Sequence, residues 1–204
     1  KQGESDRVRN LNEKLIVILY FIAIPLTIGG IILSSPLIKF VFEEAYLPAT
    51  ASFQILIASL LIQFPSAVLG NLIMAHNQQK KLVNYVIAGS LSNVIFNTLL
   101  IPSFGISGAA TATLISQFVY FTPVWLKIKK LSNFHTLRYL KKIIVGAIIM
   151  GIFSYILNNL GLNVIVNIII SAGIYFGMLY ILKENMVNEI KDLFAKMKPQ
   201  NNNY

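Results

Sequence analysis

Charged side chains are missing from four long runs of this chain. Leu15–Ile38 has 24 residues without charge, Ala45–Gln79 has 35, Leu82–Leu126 has 45 and Ile143–Leu182 has 40. One helical pass through about 30 Å of hydrocarbon at about 1.5 Å per residue needs roughly 20 apolar residues. The 45-residue run is too long for one pass. It breaks at Ile101-Pro-Ser-Phe-Gly-Ile-Ser-Gly108, where a proline and two glycines interrupt it. The 40-residue run breaks at Asn158-Asn-Leu-Gly-Leu-Asn163. The pattern therefore predicts six spans, at about 15–38, 49–75, 82–101, 107–127, 142–159 and 163–182. Backbone polar groups find no water inside lipid, so each span is predicted helical. The runs lack the two-residue alternation of barrel strands. The fold class expected is all-α, a polytopic transmembrane bundle over 15–182, with a lead-in at 1–14 and a tail at 183–204.

Composition strengthens this picture. The 204 residues are 55% hydrophobic and only 12% charged, with a mean hydropathy of +0.67. A soluble domain carries about 25% charged residues. With no cysteine there is neither a disulfide nor a thiolate metal site, and His76 and His135 are too far apart in sequence to suggest a metal pair.

The net charge of +9 would suit nucleic acid if the basic residues formed a patch. They are instead sorted by loop. The lead-in holds Lys1, Arg7, Arg9 and Lys14, and the second loop holds Lys80 and Lys81. The fourth loop holds Lys127, Lys129, Lys130, Arg138, Lys141 and Lys142, and the tail holds Lys183, Lys191, Lys196 and Lys198. Only Lys39 falls in the alternate set, so 16 of the 17 basic residues mark one side. Basic loops stay cytoplasmic, which predicts an even number of spans with both ends inside and removes nucleic acid as a partner. The N-terminus does not read as a signal peptide, because its apolar run is too long and no small-residue cleavage site follows.

Uncharged polar residues recur at helical spacing: Ser59, Gln63, Ser66 and Gly70 in the second span, Ser90, Asn93 and Asn97 in the third, and Thr113, Gln117 and Tyr120 in the fourth. Such faces either line a polar cavity for a hydrophilic cargo or hydrogen-bond between helices at about 1 kcal/mol or less per contact. Pro25 and Pro65 lie within the first two spans, where a missing ladder bond kinks a helix as a fixed packing feature or as a bending point. Gly173…Gly177, Ser66…Gly70 and Ala147…Gly151 are small-xxx-small pairs suited to close helix contact. Glu43 and Glu44 read as a solvated outward loop, and His76 as an interfacial histidine. The tail stripe Met186, Val187, Ile190, Leu193, Phe194 and Met197 reads as an amphipathic interfacial helix. Apart from Lys127 and Lys142 at span edges, no Asp, Glu, Lys, Arg or His lies within a span, and no phosphate loop, nucleophile elbow or metal-ligand spacing is visible, so neither enzyme chemistry nor a cofactor is expected.

One stretch is more specific. Asn93-Val-Ile-Phe-Asn97-Thr-Leu-Leu-Ile-Pro102-Ser-Phe-Gly105-Ile-Ser-Gly108-Ala-Ala-Thr-Ala-Thr113-Leu-Ile-Ser116 resembles a signature of bacterial polysaccharide flippases. These belong to the multidrug/oligosaccharidyl-lipid/polysaccharide exporter superfamily. Ala45-Tyr46…Phe53-Gln-Ile-Leu56 and Asn71-Leu-Ile-Met-Ala75 look like adjoining segments of the same family, so the likeness covers about 15–130. The resemblance implies one lobe of a two-lobed, MATE-like flippase of 12 to 14 helices. Six spans beginning at Lys1 then suggest a C-terminal portion whose N-terminal lobe, or a second copy, completes the machine. It further implies flipping of undecaprenyl-diphosphate-linked repeat units across a bacterial inner membrane by alternating access, alongside polysaccharide assembly proteins. Ser59, Gln63, Asn93, Asn97, Thr113, Gln117 and Tyr120 are the cavity-lining candidates, and Lys80 and Lys81 are the nearest candidates for the diphosphate. Pro25, Pro65, Pro102, Gly105 and Gly108 are the candidate hinges. Two other readings stay open: a multidrug or toxin extrusion antiporter, and a non-transporting membrane scaffold or truncated remnant.

Overall fold

The computed structural model describes residues 2–132 and 137–182, with side chains described for 12–130 and 140–182. It is all-helical among those residues. The order is α1 (Gln2–Ile32), α2 (Ser34–Phe42), a 3-10 turn (Glu44–Ala49), α3 (Thr50–Ala58), α4 (Leu60–Ala75), α5 (Gln79–Ser132), α6 (Leu137–Asn159) and α7 (Val164–Ile181). Five segments of the described chain are long and apolar enough to cross a membrane: Asn12–Ile32, Glu44–Ala75, Gln79–Lys130, Leu140–Asn159 and Val164–Ile181. The predicted amphipathic tail, 183–204, lies outside the described residues, as does His135.

Several predicted boundaries move. α1 is already helical from Gln2, so helix runs through the lead-in at 1–14 into the first span, whose apolar stretch begins at Asn12. The span predicted at 15–38 is broken at Leu33, and α2 then carries the chain on to Phe42. Pro36 sits in the first turn of α2, where its missing N–H costs no ladder bond. The span predicted at 49–75 is likewise two helices meeting at Ser59. The Glu43–Glu44 loop is ordered into the 3-10 turn, and Lys39 pairs with Glu44 at the exposed surface.

The remaining breaks follow helix-ending chemistry. α4 ends at Asn77 (φ 56°), where the N–H of Gln78 donates to the Ile73 carbonyl at 3.1 Å and that of Asn77 to Met74 at 3.0 Å. α6 ends the same way at Gly161 (φ 75°), with Leu162 N–H on Leu157 and Gly161 N–H on Asn158. Both are left-handed caps that satisfy the last carbonyls, and they need Asn or Gly at the positive φ. Asn163 then starts α7, its side chain accepting from the Ile165 N–H at 2.9 Å.

α5 is two helices joined at Gly105, where the chain folds back on itself (φ 54°, ψ −132°) in a conformation open essentially to glycine. Pairings across the bend run backwards. A Cβ on Gly108 would lie 2.4 Å from the Leu100 carbonyl oxygen, Asn93 bonds Ser116, and Gly89 lies against Tyr120. α5 is therefore an antiparallel hairpin with arms 79–104 and 106–132.

α4, backed by the hairpin, and the α6–α7 pair pack on two sides of α1. On one side Val17, Phe21 and Ile24 meet Leu140, Ile143, Ala147 and Met150 of α6 and Tyr175 and Leu179 of α7. On the other, Ile16 meets Leu69, Leu72 and Ile73 of α4 and Val124 and Ile128 of α5. Adjacent residues Ile16 and Val17 thus serve opposite clusters. Gly151 presses on Ile28 and Ile32 of α1, so the Ala147…Gly151 pair does mark a close contact. Gly173 and Gly177 have nothing within 4 Å of their Cβ positions and mark none among the described residues.

Candidate functional site

Polar side chains gather where α4 meets the α5 hairpin. Asn93 Nδ2 donates to Ser116 Oγ at 3.2 Å across the two arms, and Asn97 Nδ2 donates to Asn93 Oδ1 at 2.9 Å. Ser116 in turn donates to the Thr113 carbonyl at 2.8 Å. The two asparagines sit one turn apart on the first arm because their spacing is i, i+4. The bend at Gly105 supplies the register that brings Ser116 opposite.

The other candidates on the second arm surround this ladder. Thr113 returns its hydroxyl to the Ala109 carbonyl at 3.0 Å. Tyr120 lies between three segments, with its ring stem against Gly89 and its hydroxyl 3.4 Å from where a Cβ on Gly70 would be. Both glycines are buried, and at Gly89 a side chain would press on Tyr120 Cβ at 3.0 Å and the Ser116 carbonyl at 3.2 Å, so its absence lets the second arm approach there. Gln117 Oε1 is buried and finds no hydrogen-bond partner among the described residues. Ser92 Oγ on the facing arm is likewise buried without a partner, and since most buried polar atoms are paired, both groups keep unused hydrogen-bonding capacity.

The second-span face predicted from sequence is divided. Ser59 is buried at the α3–α4 junction with its hydroxyl on the Leu56 carbonyl at 2.6 Å, whereas Gln63 is exposed. Ser66 donates back to the Ile62 carbonyl. Ser90 is exposed on the first arm. Lys80 and Lys81 open α5, about 18 Å from Asn93 along the helix at about 1.5 Å per residue, so they do not join the asparagine ladder. Among the hinge candidates, Gly105 and Gly108 make the bend itself, Pro102 precedes it, and Pro25 and Pro65 lie inside α1 and α4.

Three buried polar groupings lie outside the faces expected from sequence. Asn167 is fully buried and central to the first: Ser154 and Ser171 donate to its Oδ1 at 3.2 and 2.9 Å, and its Nδ2 donates to the Ser154 carbonyl at 3.0 Å. Ser52 shares a hydrogen bond with Ser107 at 3.0 Å, tying α3 to the bend of the hairpin. Tyr175 donates to the Phe21 carbonyl at 2.8 Å. Asn167, Ser171 and Tyr175 recur at i, i+4, i+8, the same periodicity that marks the predicted faces. Among the described residues no group of acids, histidines or cysteines could hold a metal.

Sequence comparison bears on what this arrangement belongs to. Residues 1–177 match the model of the family described as lipid II flippase MurJ. An uncharacterized membrane protein of Methanocaldococcus jannaschii is 29% identical over 194 residues, covering 91% of this chain and 38% of its own length. A probable low-salt glycan biosynthesis flippase, Agl15, of Haloferax volcanii is 27% identical over 183 residues, covering 87% of this chain and 38% of its own length. The chain thus spans about two fifths of the length of these curated relatives. No solved structure matches it. With the family model covering most of its length and membrane-length helices throughout, the chain is a multi-pass membrane protein of the lipid II flippase MurJ family.

Proposed function

We propose that this chain is the C-terminal portion of a transporter that flips lipid-linked oligosaccharide across the cell membrane. The observation that carries the reading is the flippase-family match over residues 1–177, and the Agl15 relative, a probable glycan biosynthesis flippase, points to the same cargo class. Polyprenyl-diphosphate-linked repeat units, with undecaprenyl as the carrier in a bacterial inner membrane, are the proposed cargo. The prenyl tail would stay in the bilayer while the sugar passes through protein. Hydroxyl-rich sugar needs uncharged donors and acceptors, which Asn93, Asn97, Thr113, Gln117 and Tyr120 offer along the hairpin face.

Alternating access would move this lobe against an N-terminal lobe, or a second copy, without covalent chemistry. The bend at Gly105 supports a six-crossing arrangement with both ends cytoplasmic, as expected for one lobe of a MATE-like exporter. A reporter fused after Ser103 is then external and one after Asn133 cytoplasmic. In the full-length transporter, changing Asn93, Asn97 and Gln117 together to Leu should abolish flipping of a fluorescent lipid-linked sugar in proteoliposomes while the protein still inserts. Unchanged flipping by the triple variant would remove these residues from the cargo path.

A further inference from the structure

We propose that Lys81, Lys127 and Lys130 form a binding site for the phosphate of a membrane-lipid headgroup, at the open end of the α5 hairpin. The hairpin register leads there. Asn93 faces Ser116 and Gly89 faces Tyr120, and continuing the same pairing toward the ends sets Lys81 against Lys127. The charges of Lys81 and Lys130 both act on the Lys127 ammonium, and Lys130 follows Lys127 by three residues on the same helix face. Among the described residues no carboxylate pairs with Lys80, Lys81, Lys127, Lys129 or Lys130. Facing ammonium groups repel, and an anion between them would turn that repulsion into attraction.

Helix electrostatics make a second, independent case. Lys129 and Lys130 suit the last turn of α5, where the dipole attracts cations. Lys81 stands in the first turn, at the positive end, where a lysine is unfavourable. The Lys81 and Leu82 N–H groups already donate to the Gln78 carbonyl, so an anion at that end would be held chiefly by the lysines and by the positive end of the helix dipole. Tetrahedral phosphate has enough oxygens to accept from Lys81 and Lys127 at once. The site lies at the end of a membrane-length hairpin, at headgroup depth, so the phosphate is one carried by a lipid. Headgroup phosphates occur on both faces of a bilayer, so the site does not depend on the orientation or cargo proposed above.

The test uses the whole chain in phosphatidylcholine nanodiscs containing phosphatidylglycerol, with lipid retention read by native mass spectrometry. Lys81→Gln and Lys127→Gln should each weaken phosphatidylglycerol retention about fivefold, the effect of about 1 kcal/mol per interfacial basic residue. Lys80→Gln and Lys129→Gln change the net charge equally and should leave retention nearly unchanged. Equal losses in all four variants would show a diffuse basic surface and overturn the proposal. A parallel arm with polyprenyl diphosphate as the minor lipid separates the two phosphate sources. Displacement of phosphatidylglycerol assigns the site to the carrier lipid, and failure to displace assigns it to bulk phospholipid. Acetylation of the unmutated chain removes any dependence on variant folding. Lys81 and Lys127 should be protected when phosphatidylglycerol is present, and unchanged reaction rates at both would overturn the site.

Discussion

Pro25 lies within α1 and has no N–H, so the carbonyl of Phe21, four residues earlier, loses its helical partner. Phe21 is buried, with no water to take that place. The hydroxyl of Tyr175, reaching over from α7, donates to this carbonyl at 2.8 Å. Tyr175→Phe removes only the oxygen, and the tilted ring contact with Phe21, at a centroid distance of 5.6 Å, can persist. Interhelical hydrogen bonds in membranes average about 0.6 kcal/mol and reach about 1.7. An unpaired buried carbonyl costs about 1–3 kcal/mol. Because the carbonyl has no ladder donor to fall back on, the loss should sit near the top of the first range, about 1.5 kcal/mol, or roughly tenfold in the unfolding equilibrium. The decisive measurement is a double-mutant cycle with Pro25→Ala. Alanine in place of the proline restores an N–H for the Phe21 carbonyl, so Tyr175→Phe should then cost about 0.5 kcal/mol or less. Reversible unfolding in mixed micelles, followed by helical circular dichroism, gives all four stabilities. An equal loss from Tyr175→Phe in both backgrounds would refute the idea that Tyr175 serves the carbonyl that proline leaves behind.

Other substitutions probe the hairpin and the second polar cluster. Gly108→Ala places a Cβ 2.4 Å from a backbone oxygen, so the arms must separate, and a loss of about 2–3 kcal/mol is expected in the same unfolding assay. Gly105→Ala meets no atom within 4 Å and should cost only its backbone strain, about 1–2 kcal/mol, leaving Gly108→Ala the worse of the two. Asn167→Leu leaves the Ser154 and Ser171 hydroxyls without their shared acceptor and should lower stability by about 2 kcal/mol. Asn93→Ala breaks two links of the ladder and Asn97→Ala one, so thermal unfolding in detergent should rank Asn93→Ala as the less stable variant.

How much of this was legible in the sequence depends on what each break is made of. Gly105, Gly108 and the Asn158–Asn163 turn were readable because positive φ and close backbone approach demand particular residues. The division at Ser59 was not. No glycine or proline stands there, and the chain turns on local i, i+3 bonds such as the Ser59 hydroxyl to the Leu56 carbonyl. The Asn93 and Asn97 face was visible from spacing, but its partner Ser116 depends on the register fixed by the Gly105 bend, which spacing within one helix does not contain. Asn167 escaped notice for a deeper reason. In α7 the buried positions are Val164, Asn167, Ser171, Tyr175 and Leu179, while Ile169 and Tyr180 are 66% and 75% exposed. Lipid is as apolar as a protein core, so hydrophobicity does not separate the inside of such a helix from its outside. What separates them is the need of polar groups for partners, which lipid does not supply. The Asn167, Ser171 and Tyr175 stripe was therefore the better guide to the packed face of α7 than any apolar periodicity. By the same logic Gln117 Oε1 and Ser92 Oγ, buried without partners on the two arms of the hairpin, are polar groups that the helix packing alone leaves unsatisfied.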